Sequence, residues 1–196
     1  VFDPNFQEIN IESRIVAALE RISEVFRVML WSVNKRHSLS PLQIQILIFL
    51  LYHPDTVKTV TYLANEFNMT KATISDAIRV LQKKAYVMRE KSMVDSRISI
   101  LSLTEQGKIV AQDVASFADD MRDYVSLLSK DKKELFSEIL LGMIAKLNKE
   151  GMISVTRMCL SCSCFTPEGK AEAGGYCQRR QKQFLAPDML LDCVGY

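Results

Sequence analysis

The sequence has few residues that break helices and few that support catalysis. It contains only 5 prolines, 7 glycines and 2 histidines in 196 residues. So few turn-forming residues favour a helical fold over a turn-rich β fold. His37 and His53 lie in no metal or nucleophile motif, and the chain has no phosphate-binding glycine loop and no Gly-x-Ser-x-Gly elbow. Because no catalytic constellation is visible, we expect that the protein is not an enzyme.

A large net charge and long apolar runs are also lacking. The formal net charge is only +2, so an interaction with nucleic acid would have to depend on a local concentration of charge. The longest apolar stretch, residues 44–52, falls short of the roughly 18 residues that a membrane span requires. The N-terminal segment lacks the basic, apolar and small-residue order of a signal peptide. We therefore expect a cytoplasmic protein that makes no membrane contact.

Cysteine is absent before Cys159, and all 5 cysteines lie between that residue and the C-terminus. The composition changes near the same point, where small residues and Gly174-Gly175 become prominent. With 48% hydrophobic and 24% charged residues, the chain as a whole has an ordinary globular composition. We therefore predict a folded domain over residues 1–151 and a small cysteine-rich extension over residues 152–196.

Apolar periodicity predicts that the first domain is mainly α, with one β-hairpin. Ser40-Pro41-Leu42-Gln43 has the form of a capping box, and the helix after it is apolar nearly all round, so we expect it to be buried. Thr59, Thr70 and Thr104 are the predicted caps of three later helices. The expected helices cover residues 8–31, 41–52, 59–67, 70–84, 104–128 and 132–149, and the expected strands cover residues 86–91 and 97–103.

Two short helices over residues 59–84, with a tight break at Asn68-Met69 and a hairpin over residues 86–103, describe a winged helix-turn-helix. In such a fold the second helix enters the major groove of DNA. Residues 68–97 carry seven Lys or Arg and three Asp or Glu, a local balance of +4 in a chain of +2. Double-stranded DNA is therefore the expected partner, and the candidate contacts in helix and wing are Thr70, Lys71, Thr73, Ser75, Arg79, Lys91, Asp95 and Arg97.

Residues 8–150 resemble the MarR family of bacterial regulators. The most specific likeness is Asp95-Ser96-Arg97 followed by Leu101, Leu103-Thr104 and Gly107, which resembles the family's wing signature of Asp-x-Arg and then Leu-Thr-x-x-Gly. The resemblance implies a homodimer on a pseudo-palindromic operator, with Arg97 entering the minor groove and Asp95 holding that arginine. It also implies a repressor that a small phenolic ligand or thiol oxidation releases.

The last predicted helix supports the expectation of a homodimer. Its apolar residues form two rows: Leu135, Ile139 and Met143, and Phe136, Leu140 and Ile144. Two apolar rows exceed what one face of a helix within a single chain requires, so an intertwined dimer would bury the surplus. The alternative is a monomer whose core uses both rows.

The cysteine spacing predicts a metal site. Cys159-x2-Cys162 forms a knuckle, and Cys177 and Cys193 complete a four-thiolate set, with Cys164 as a spare or alternative ligand. Zinc is the expected metal, and an iron–sulfur cluster takes the same donors. Two further readings stay open: a metal-free thiol sensor in which Cys162 and Cys164 oxidise, and cysteines that serve as small buried hydrophobes.

A second functional class stays open beside the DNA-binding regulator. The winged helix could instead bind a protein, in a metal-stapled or redox-responsive interaction module. Salt dependence of binding to duplex DNA discriminates between the two classes, because phosphate contacts release counterions.

Overall fold

A computed structural model describes residues 2–91, 99–153, 157–169 and 174–193. Helices dominate the described part of the first domain, and one two-stranded antiparallel hairpin interrupts them. This arrangement confirms the predicted mainly α winged-helix fold. The elements, in chain order, are α1 (Pro4–Ile9), α2 (Ile11–His37), α3 (Pro41–Tyr52), α4 (Val60–Glu66), α5 (Lys71–Lys83), β1 (Val87–Lys91), β2 (Ser99–Leu103), α6 (Glu105–Ala115), α7 (Asp119–Ser126) and α8 (Lys130–Lys149).

Helix α3 lies at the centre of the core, as its apolar sequence predicts. Its start is the expected capping box: the backbone N–H of Gln43 donates to Ser40 Oγ, and the Ser40 N–H donates back to Gln43 Oε1. Side chains of α3, α4, α5 and α6 form one buried cluster, whose fully buried members include Ile44, Ile46, Leu47, Leu63, Ile74, Ile78, Leu81, Ala111 and Val114. The predicted inner face of α5 is therefore confirmed.

The hairpin is fixed to the helices at both ends. Val87 pairs with Leu103 and Lys91 pairs with Ser99. The Leu101 N–H donates to the Lys58 carbonyl at 2.9 Å, which ties β2 to the segment before α4. Thr104 caps α6 by accepting from the Gly107 N–H at 2.9 Å. These bonds hold the wing in a defined position beside α4 and α5.

Several predicted helices differ in extent from those of the structure. Helix α2 continues to His37 rather than ending near Trp31, because His37 Nε2 binds Asp113 of α6 at 2.6 Å and the His37 carbonyl accepts from Lys84 Nζ. The helix expected over residues 104–128 is interrupted by a 3₁₀ turn at Ser116–Ala118. The last helix begins at Lys130 rather than at Lys132.

Large apolar side chains stay exposed along the outer helices of the single chain. Ile15 of α2 is 50% exposed and Leu135 of α8 is 58% exposed. Further members of this surface, which we call the outer apolar surface, are Ile11, Val16, Ile22, Val25, Val28, Trp31, Leu127, Phe136, Ile139 and Met143. Exposed apolar side chains that form a contiguous patch commonly mark a site of protein–protein interaction. Among the described residues, no helix is long and apolar enough to cross a membrane.

The cysteine-rich segment contains a three-stranded antiparallel sheet that the sequence did not predict. Its strands, β3 (Phe165–Pro167), β4 (Gly174–Cys177) and β5 (Lys182–Leu185), lie in that order. The segment buries few large side chains, and its core includes Leu141 of α8 beside Met158, Phe165, Phe184 and Met189. This packing joins the segment to α8, and the division near residue 152 stays a prediction.

Candidate nucleic-acid interface and thiol cluster

Helices α4 and α5 are joined by a turn that depends on Asn68. This residue has φ of +51°, a left-handed conformation that Asn tolerates better than most residues. The Met69 N–H donates to the Ala64 carbonyl at 2.9 Å and closes the end of α4. Thr70 then caps α5, since Thr70 Oγ1 accepts from the Thr73 N–H at 3.1 Å. The predicted turn and cap are both confirmed.

The exposed face of α5 carries the predicted candidate contacts. Lys71 and Thr73 are exposed in the first turn, and Ser75 is half-buried. The first turn holds no acidic residue, so the partial positive charge of the helix N-terminus is not neutralised there. Arg79 Nη1 lies 2.6 Å from Asp76 Oδ1 in an exposed pair, which is weak enough for a phosphate to displace.

The wing supplies one further described cation at the predicted site. Lys91 is exposed at the end of β1. Asp95 and Arg97, the predicted wing-turn residues, lie outside the described residues. Lys84, at the end of α5, makes a contact within the protein, since Lys84 Nζ donates to the His37 carbonyl at 3.4 Å. The structure therefore groups Thr70, Lys71, Thr73, Ser75 and Arg79 on one helix, and their contacts with DNA stay a prediction.

The five cysteines are free thiols in the C-terminal segment. Cys159 begins the 3₁₀ turn Cys159–Ser161, and Cys177 ends β4, where it pairs with Phe165 of β3. Both of these side chains are buried, and those of Cys162, Cys164 and Cys193 are half-buried. We call Cys159, Cys162, Cys177 and Cys193 the thiol cluster.

The members of the thiol cluster influence one another electrostatically. Burial raises the pKa of Cys159, the Leu190 N–H that donates to Cys159 Sγ at 3.3 Å opposes this rise, and Cys193, Cys177 and Cys162 add to it. Burial likewise raises the pKa of Cys162. Within residues 2–91, 99–153, 157–169 and 174–193, no three His, Cys, Asp or Glu side chains converge closely enough to hold a metal ion. The four thiols therefore lie in the same segment, but their sulfur atoms do not converge on one point in this structure.

Comparison with known proteins bears on the winged helix. Residues 37–98 match the model of the MarR family. This part of the chain is therefore similar to the MarR family of regulators. The chain is 25% identical over 131 residues to the HTH-type transcriptional regulator MhqR of Bacillus subtilis. The aligned region covers 64% of this chain and 89% of MhqR. The chain is also 25% identical over 103 residues to an uncharacterized regulator of the same organism, YdgJ, covering 52% of this chain and 62% of YdgJ.

Solved structures show the same fold over about two thirds of this chain. The MepR–DNA complex of Staphylococcus aureus superposes with a TM-score of 0.59 at 23% identity, covering 67% of this chain and 97% of MepR. MepR in its DNA-binding conformation gives a TM-score of 0.60 at 23% identity, with 68% and 98% covered. The family match ends at residue 98, so it does not describe the cysteine-rich segment.

Arg157 anchors the cysteine-rich segment to the winged helix. Its side chain is only 8% exposed. Nη1 and Nη2 donate to both carboxylate oxygens of Glu66, at 2.5 and 3.1 Å, and Nη1 also donates to Tyr62 Oη at 3.3 Å. Both acceptors belong to α4. A buried guanidinium with this many partners is a structural clamp rather than a surface charge.

Asp192 completes the clamp from the other side. Arg157 Nε and Nη2 donate to Asp192 at 2.7 and 3.1 Å, and Asp192 Oδ2 lies 3.0 Å from His53 Nε2. The guanidinium also lies 5.2 Å from the ring centroid of Phe49. Burial by itself would lower the pKa of Arg157, but its hydrogen bonds to Asp192, Glu66 and Tyr62 outweigh burial and raise that pKa.

Sequence reasoning missed this clamp entirely. The partners of Arg157 lie 91 and 35 residues away in the chain, and no periodic pattern or motif links such distant positions. The only available signal is a cluster of polar residues around the cysteines, which composition alone does not distinguish from a solvated surface.

Proposed function

We propose that a homodimer of this chain binds a pseudo-palindromic DNA operator through α5 and the wing, and represses transcription. The observation that carries the proposal is the exposed first turn of α5, where Lys71 and the hydroxyl of Thr73 stand beside a helix N-terminus that no acidic residue neutralises. The structure of MepR, which has a similar fold, has been solved in complex with DNA. This likeness supports a DNA complex in which α5 faces the major groove. Phosphates and base edges are the chemistry that these groups recognise.

Dimerisation follows from the outer apolar surface. Its residues lie on α2 and α8 and at the C-terminal end of α7, and the exposed face of α5 is not part of it, so two copies could associate through this surface and leave both winged helices exposed. A closed twofold dimer would present two α5 helices to two half-sites of one operator.

The DNA contacts can be tested with two variants. Arg97→Ala should weaken operator binding by about 1–3 kcal/mol, because it removes the proposed minor-groove contact. Lys71→Ala should weaken binding to all duplexes and reduce the salt slope by about 1, because it removes one phosphate contact. Fluorescence anisotropy at several salt concentrations measures both effects. Lys132→Ala, an exposed lysine of α8, is the matched control and should bind as the parent does; parental binding by both test variants would exclude this interface.

We also propose that the thiol cluster binds zinc. What supports this is the Cys-x2-Cys knuckle, the backbone hydrogen bonds that place the segment of Cys193 beside the segment of Cys159, and the N–H of Leu190 that donates to Cys159 Sγ, a type of contact that stabilises a coordinated thiolate. Bound zinc would supply folding free energy to a segment with a small core. Cys164, whose carbonyl accepts from the Gln178 N–H, remains available as an alternative ligand.

Metal analysis of protein purified without oxygen tests the zinc site. We expect about one zinc per chain and colourless protein, because four thiolates bind one tetrahedral ion. Brown protein that contains iron and sulfide would indicate an iron–sulfur cluster at this site and would contradict zinc. Folded protein without any metal would contradict the site and favour a thiol sensor. Replacing Cys159 by serine should abolish the metal content, whereas Cys164→Ser should leave it intact.

A further inference from the structure

Two short segments of the C-terminal region lie side by side and contain Cys159 and Cys193 of the thiol cluster and Arg157 and Asp192 of the clamp. The Cys159 N–H donates to the Leu190 carbonyl at 3.0 Å, and the Cys193 N–H donates to the Arg157 carbonyl at 2.9 Å. In the sequence, Cys159 lies two residues after Arg157, and Cys193 follows Asp192 directly. Any movement of these two cysteines is transmitted by the backbone to the Arg157–Asp192 pair.

The other side of the clamp is the helix that precedes the reading helix. Glu66 is the last residue of α4, and Tyr62 lies one turn earlier on the same helix. Only the turn at residues 67–70 separates Glu66 from α5, and the Met69 N–H is bonded to the Ala64 carbonyl within that turn. Helix α5 packs directly against α4, so Arg157 holds one of the elements that position α5.

We propose that Arg157 couples the thiol cluster to the DNA-reading helix, so that occupation of the cluster by a metal raises the affinity for DNA. The inference rests on the proposed function, and it assigns the regulation of that function to a specific contact. A metal that draws Cys159 and Cys193 together fixes the two segments that carry Arg157 and Asp192. The clamp then orders α4, and α5 approaches DNA already oriented.

The expected direction follows from pre-organisation. When the metal leaves, the segments that hold Arg157 loosen, and DNA binding must then bear the cost of ordering α4 and α5. Coupling between two sites in a protein is typically about 5- to 150-fold in affinity. Because Phe49 and Glu66 of the winged helix still contact part of the guanidinium, we expect an effect near the lower end, about 5- to 10-fold.

The experiment compares chains whose clamp is intact with chains whose clamp is cut on the winged-helix side. Glu66→Ala removes the carboxylate of α4 and leaves Arg157 paired with Asp192, so the C-terminal segment keeps its own contacts. Glu105→Ala, which removes an exposed carboxylate next to the wing, is the control of equal charge change. Each background is measured with zinc bound, after zinc chelation, and with Cys193→Ser.

Chelation or Cys193→Ser should weaken DNA binding about 5- to 10-fold in the parent and in Glu105→Ala, and less than about twofold in Glu66→Ala. An equal loss in all backgrounds, no loss in the parent, or tighter binding after chelation would overturn the coupling. If the parent contains no metal, the zinc proposal and the coupling both fail, whereas binding of the parent to duplex DNA still tests the proposed DNA-binding function separately.

Amide hydrogen exchange of α4 gives a readout that does not require DNA. Cys193→Ser should speed exchange of α4 in the parent and leave its rate unchanged in Glu66→Ala, because the latter has already lost the connection. Unchanged exchange of α4 in the parent would contradict the coupling even if the chain bound no duplex.

Discussion

Arg157→Ala should lower the free energy of unfolding of the intact chain by about 3 kcal/mol, because removing one member of a buried ion pair leaves the others uncompensated. Glu66 would lose both donors to its carboxylate and remain largely buried, with 15% of its side chain exposed. Asp192 is half exposed, so water would hydrate its carboxylate and offset part of the lost stability. Urea unfolding followed by circular dichroism measures the change.

The control for this variant is another arginine that makes an ion pair on the surface. Arg21 donates to Glu24 at 2.8 Å, and both side chains are exposed. Arg21→Ala should leave the urea midpoint unchanged, because an exposed pair contributes little. Equal midpoints for Arg157→Ala and the parent would show that the clamp does not hold the cysteine-rich segment to α3 and α4.

Gly107→Ala should lower the free energy of unfolding by about 3 kcal/mol, the upper end of the usual cost of overpacking. A Cβ at Gly107 would overlap the carbonyl oxygen of Tyr86 and lie 2.8 Å from its carbonyl carbon. The same carbonyl accepts from the Thr104 N–H at 3.1 Å, so the backbone cannot retreat without breaking the junction between the wing and α6. Thermal or urea unfolding measures the loss.

Gly151→Ala separates this clash from the general cost of replacing glycine. Gly151 has φ of +76° and no atom within 4 Å of an added Cβ, so only backbone strain of about 1 kcal/mol is expected there. Equal losses at the two positions would contradict close packing at Gly107. The clash also explains why a Leu-Thr-x-x-Gly signature requires glycine at its last position.

Local sequence rules predicted the parts of the fold that local chemistry determines. The capping box at Ser40 and the cap at Thr70 depend on atoms within three residues, and the inner face of α5 follows from helical periodicity. The hairpin was predicted from the alternation of apolar and polar residues along its strands and from Thr104, which caps the helix that follows the second strand. These features together place the exposed face of α5, so most of the described part of the candidate DNA interface could be predicted.

Tertiary contacts determined the parts that could not be predicted. Helix α2 extends to His37 because Asp113 and Lys84 bind its last turn. Apolar periodicity continues across residues 104–128, so it concealed the 3₁₀ turn at Ser116–Ala118, where Ser116 Oγ donates to the Asp113 carbonyl. The sheet β3–β5 has very short strands, and the Arg157 clamp joins residues far apart in the chain.

The central claim is that α5 and the wing present a cationic surface to duplex DNA, and the most direct test is the salt dependence of binding by the intact chain. Its association constant for promoter fragments should fall linearly with salt on logarithmic axes, with a slope of about −5 if about six phosphates are contacted. Sedimentation in the same buffers should show a dimer. A monomer that binds no duplex, or a complex whose affinity does not change with salt, would contradict the account.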